Sequence, residues 1–152
     1  MIDPNRPYSR LAINKVFTKL KQYMHKEALK RGLAFDDINV ALYNDVYTNL
    51  IFRGGDNYEY EHLRSSQNVF EKYKHLHTDE DIAKIVNVPE NVGITSFEIN
   101  RHKDKYAMET RILNDSNKIA LYNIDVKRTK KHLKQADLAM EKMSKSILND
   151  HL

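Results

Sequence analysis

ITSFEINR (94–101), KYAMETRIL (105–113) and KIALYNIDV (118–126) are three runs rich in Ile, Tyr and other strand-favouring residues, parted by polar segments at 101–104 and 114–117. Branched and aromatic side chains suit a pleated surface, and connectors this short join antiparallel neighbours. The expected element is a three-stranded antiparallel meander. It leads directly into KRTKKHLK (127–134), the start of a helix expected from about residue 129 to 148.

Outward from that stretch, the N-terminal half reads as helical. Ile13, Val16, Phe17, Leu20, Met24 and Ala28 recur at three and four residues, between a candidate N-cap at Ser9 and a candidate stop at Gly32. A second helix is expected from Asp36 or Asp37, with Ile38, Leu42, Val46 and Leu50 as its stripe. VYTNLIF (46–52) is also compatible with a strand. Gly54-Gly55-Asp56-Asn57 is a turn. A third helix is expected over 56–77, with Leu63, Val69, Phe70, Tyr73 and Leu76 inward. Thr78 then caps a short helix that stops before Pro89. The expected fold is one α+β domain over 1–152. N-terminal helices pack on the meander, and a long basic C-terminal helix closes the structure.

The chain has 152 residues, 41% of them apolar and 30% charged, with a net charge of +4. Those values describe an ordinary globular domain rather than a disordered tail. With no cysteine, disulfides, thiolate zinc sites and a cysteine nucleophile are excluded. A reducing, cytoplasmic setting is the matching expectation. The N-terminus MIDPNRPYSR has no apolar leader core, and no run approaches membrane-spanning length, so no membrane partner is expected. Abundant Lys, Asn, Ile and Tyr fit an AT-rich genome such as that of a phage.

Lys127, Arg128, Lys130, Lys131 and Lys134 place five cations in eight residues with no carboxylate among them. Such a cluster repels itself unless an anion lies nearby. The outer face of the first helix adds Lys15, Lys19 and Lys26. The plain alternative is a solvated helix face. The functional expectation is non-catalytic binding of nucleic acid, RNA or DNA, with weak sequence preference and no cofactor. Tyr43, Tyr47, Tyr58 and Tyr60 are candidate stacking residues, although half-buried packing is the commoner role of tyrosines so spaced.

Leu133, Ala136, Met140, Met143 and Ile147 fall at heptad spacing on the last helix. This seam either covers the sheet or joins a second helix, so a protein partner or a homo-oligomer is a further expectation. Seven histidines are scattered among polar neighbours and read as surface residues rather than a zinc site.

RHKDKYAMETRILNDSNKIALYNIDVK (101–127) offers an enzyme reading. Asp104 precedes one expected strand, and Asp125-Val126-Lys127 ends the next. This spacing resembles the hairpin of the PD-(D/E)xK nucleases, and Gln135 stands near that family's helix glutamine. The resemblance implies Mg²⁺ held by Asp104 and Asp125, with Lys127 orienting the attacking water. The chain departs from the pattern in having no proline before Asp104, Asp in place of the usual Glu, and no strand after the last helix. DEDIAKIVNVPENVGITSFEINR (79–101) similarly resembles a helix-turn-helix, but Gly93 and the strand-favouring ITSF stand where its second helix belongs.

Overall fold

The computed structural model describes residues 1–35 and 40–151. Helix α1, Leu11–Ala34, buries Ile13, Phe17 and Ala28 as its spacing predicts. It runs past Gly32, which is buried inside the helix rather than ending it. Strands β1 (Leu42–Asn44) and β2 (Ile51–Arg53) pair antiparallel, with Tyr43 opposite Phe52. Strands β3 (Tyr58–His62) and β4 (Val92–Ser96) form a second antiparallel pair, with Tyr60 opposite Ile94. A parallel bridge from Asp45 to Ile94 links the two, with Val46 N–H donating to the Ile94 carbonyl at 2.9 Å.

The other elements are α2 (Ser66–Tyr73), α3 (Asp79–Val86), a 3-10 turn at Pro89–Asn91 and α4 (Phe97–Lys103). A π-helical turn at Glu109–Leu113, α5 (Ser116–Leu121) and α6 (Val126–Asp150) complete the chain. Helix α3 is the hub, with α1, α2 and α6 packed on it. The main core joins Ile13, Phe70, Ile82, Ile85, Met108, Ile112, Leu133 and Met140. The cap at Thr78 forms as expected, its side chain accepting from Asp81 N–H at 3.2 Å.

The mixed helix-and-strand character and the long last helix stand, but the meander does not form. Ser96 ends β4 and caps α4, accepting from Ile99 N–H at 3.2 Å. Ile99 and Lys103 are buried with Arg101 between them exposed, and Met108 and Ile112 with Thr110 exposed; a strand would turn the middle residue to the same buried face, whereas a helix turns it away. Asp115 caps α5 and Asp125 caps α6. The expected turns are therefore helix ends. Positive φ at Asp104 (53°) and Asn123 (54°) redirects the backbone after α4 and α5.

Two expected helices are likewise corrected. Asp36, Asp37 and Ile38 lie outside the described residues. Beyond them Leu42 lies in β1, Val46 is buried and Leu50 is exposed. Over 56–77, Tyr58-Glu-Tyr-Glu-His62 forms β3 before Ser65 caps α2. Leu63, Val69, Phe70 and Tyr73 are buried as expected, whereas Leu76 is exposed. The segment 79–101 forms α3 followed by a strand, not a helix-turn-helix. A Cβ on Gly93 would lie 3.0 Å from the Val46 Cβ, so this site needs glycine for close strand packing.

Candidate nucleic-acid interface

The candidate surface begins where Asp125 caps α6, its carboxylate accepting from Arg128 N–H at 3.0 Å. Asp125 N–H and the Thr129 hydroxyl both donate to the Tyr47 carbonyl, at 2.8 and 3.2 Å. The first turn of α6 is thereby fixed to the chain after β1. Lys127, Lys130, Lys131 and Lys134 follow at spacings of three and four residues, on one exposed face. Among the described residues none of these four forms an ion pair. Cations elsewhere do: Arg6 pairs with Asp79, Arg64 with Glu109 and Asp137, and Lys145 with Glu141.

Arg128 lines one groove with Lys127 and Lys131 of the stripe and a second, of about 580 Å³, between α1 and α6, where Glu90 is also on the wall. Met24 and Arg31 line this second groove from α1, and Arg128, His132 and Gln135 from α6. Arg31 Nε donates to the Leu42 carbonyl at 2.9 Å, while Arg128 Nε is buried with no hydrogen-bond partner among the described residues. Burial, reinforced by the charges of Arg128 and Lys131, lowers the pKa of the His132 imidazole. The two helices therefore converge through Arg31, Arg128 and His132. Lys15, Lys19 and Lys26 are exposed on α1 but do not line this groove. Arg31 lay outside the sequence-based set because helical spacing groups it with the outward cations of α1, and only packing turns it into this groove.

The tyrosines are packing residues first. Tyr43 and Tyr47 are buried, and Tyr58 and Tyr60 half-buried. Tyr43 and Tyr60 share a hydroxyl–hydroxyl hydrogen bond, and the Tyr43 ring lies 5.0 Å from that of Tyr58. The seam is committed to the chain's own core: Leu133, Ala136, Met140 and Ile147 are buried, with Met143 packed beside them.

The strand hairpin behind the nuclease resemblance is absent. Asp104 ends α4 and lines a cavity beside Glu61, whereas Asp125 caps α6 and lines a different groove with Lys127 and Gln135. Among the described residues no group of three or more His, Asp or Glu side chains is gathered to hold a metal.

Two histidines expected at the surface are buried. His77 donates or accepts at Ser144 Oγ, 2.7 Å away. His62 lies under the Phe17 ring at 4.2 Å, and its Nε2 meets Asn87 Oδ1 at 2.8 Å. Because Asn87 uses its amide N–H groups on the Ile13 and Ala83 carbonyls, its oxygen accepts and His62 Nε2 donates. Glu61, which precedes His62, is also buried, and Tyr47 OH donates to its Oε1. The alternation of Tyr with Glu at 58–61 was the available signal for this strand.

No helix among the described residues is long and apolar enough to cross a membrane. No protein-family model, curated protein or solved structure matches the chain.

Proposed function

We propose that the chain binds nucleic acid, RNA or DNA, without strong sequence preference and without a catalytic step. The observation that carries this reading is the exposed stripe of Lys127, Lys130, Lys131 and Lys134, four cations crowded on one helix face with no ion pair to a carboxylate among the described residues. Four ammonium groups in a row repel one another in water, and a phosphate backbone relieves that repulsion while releasing its condensed counterions. Arg31 and Arg128 add two cations, against the Glu90 carboxylate, in the adjoining groove.

Fluorescence anisotropy with labelled single- and double-stranded oligonucleotides tests it. Four phosphate contacts give a log–log salt slope of roughly −3 to −4. Sequence-scrambled probes bind alike. Replacing Lys130, Lys131 and Lys134 with Glu abolishes binding while leaving thermal unfolding intact. Unchanged affinity in that folded variant refutes the proposal.

A further inference from the structure

A second cavity, of about 560 Å³, lies among the start of α1, the end of β3, the start of α2 and the end of α4. Its wall includes Glu61 and Lys103, which are only 4% and 1% exposed. Tyr47 satisfies Glu61 Oε1, but Oε2 has no hydrogen-bond partner among the described residues and stands 3.8 Å from Lys103 Nζ. Lys103 Nζ donates to the His62 carbonyl at 3.1 Å. An ammonium has three N–H groups, so donor capacity and an acceptor remain at the same wall. Buried polar groups are rarely left so, because each unmade hydrogen bond costs roughly 1–3 kcal/mol.

Besides the Asp104 carboxylate, the charged residues of the remaining wall are cations, of which Arg101 pairs with Glu59 at 3.5 Å. Arg10, Arg101 and Lys105 line the cavity, and Arg10 has no carboxylate partner among the described residues, its Nε donating to Asn14 Oδ1 at 3.2 Å. Ser65, Ser66 and Gln67 bring the positive end of α2 to the same space. Burial raises the Glu61 carboxyl above its ordinary pKa, with the Lys103 charge the largest opposing influence. The pocket therefore offers an anion seat at one part and an acceptor at another, within the usual volume of a small-molecule site.

We propose that this cavity binds a small phosphomonoester carrying a hydrogen-bond donor away from its phosphate, a mononucleotide being the class that fits. The phosphate lies among Arg10, Lys105 and the start of α2, and the donor meets Glu61 Oε2. This site is independent of the lysine stripe on α6.

Isothermal titration calorimetry on the full chain tests it, using the four ribonucleoside monophosphates, the parent nucleosides and inorganic phosphate. At least one monophosphate is expected to bind about tenfold or more tightly than either its nucleoside or phosphate alone. Arg10→Ala, at an exposed position, weakens phosphate and mononucleotide alike. Glu61→Gln weakens the mononucleotide about tenfold with little change for phosphate. The Lys130, Lys131 and Lys134 to Glu variant retains mononucleotide binding, which separates this site from the polynucleotide surface. No binding at millimolar ligand, equal affinity for inorganic phosphate, undiminished binding in Arg10→Ala, or loss of binding in the α6 variant each overturns the proposal. Circular dichroism establishes that each variant is folded; if Glu61→Gln is not, Arg10→Ala and the ligand series decide.

Discussion

His62 makes acid pH a defined perturbation of this fold. Its imidazole is buried between Phe17 and Asn87, and burial lowers its pKa from 6.5 to about 4, helped by the charges of Arg10, Lys103 and Lys21. The side-chain hydrogen bond to Asn87 opposes that fall. With the folded pKa below the unfolded one, the unfolded chain takes up the proton first as the solution is acidified. The native state keeps its full advantage above about pH 6.5, loses it as the pH falls towards 4, and loses no more from this residue below that. At about 1.4 kcal/mol per pKa decade, the complete loss is about 3 kcal/mol, of which about 2 kcal/mol has gone by pH 5. Urea denaturation of the parent chain and His62→Gln at about pH 7.5 and about pH 5 isolates the effect, because other titrating groups, His77 among them, cancel in the difference. The glutamine amide can still donate to Asn87 but cannot take up a proton. The stability gap between the two proteins should shift by about 2 kcal/mol in favour of the variant on acidification. A gap independent of pH, or a His62 resonance titrating near pH 6.5 by NMR, refutes the reasoning.

Two further outcomes follow from the packing. Gly93→Ala drives a methyl to 3.0 Å from Val46 Cβ and 3.2 Å from Leu63 Cδ1, and should cost roughly 1–3 kcal/mol in chemical denaturation; an unchanged midpoint would mean that the Val46 and Leu63 side chains yield to the methyl. Asp125→Ala removes the cap on α6 and should lower stability by about 1 kcal/mol, with Asp125→Asn largely restoring it. Neither Asp125 variant should weaken oligonucleotide binding. Cleavage of plasmid in Mg²⁺ that disappears in Asp125→Ala would count against a non-catalytic protein.

The last helix was legible because two independent signals agree along it. Its apolar residues hold a helical spacing from Leu133 to Ile147, and charged residues fill the other faces and the turn before Leu133. For α1 the apolar spacing alone held, since Arg10 rather than Ser9 is its N-cap, whereas spacing and cap both held for the helix after Thr78. The region 94–126 misled because side-chain preference for strands is weak and yields to packing. Met108 and Ile112 are buried while Thr110 between them is exposed, a helical pattern; Ser96 and Asp125, expected within strands, and Asp115, expected in a hairpin turn, act as helix caps. In 58–62 the alternation of Tyr and Glu was visible, but its partner strand lies thirty-odd residues downstream at 92–96, and short sequence windows do not report long-range pairing.

By itself, the sequence determined that a cluster of like charges begins the final helix and that this helix has one apolar face. Both are consequences of covalent order and a 3.6-residue repeat. Tertiary structure alone decided which cations meet. It placed Arg31 and Arg128 on the wall of one groove, set Glu61 against Lys103 across forty-odd residues, and sent Asp104 and Asp125 to separate cavities. Those juxtapositions depend on how helices and strands pack in three dimensions, where groups far apart in the chain share one low-dielectric space.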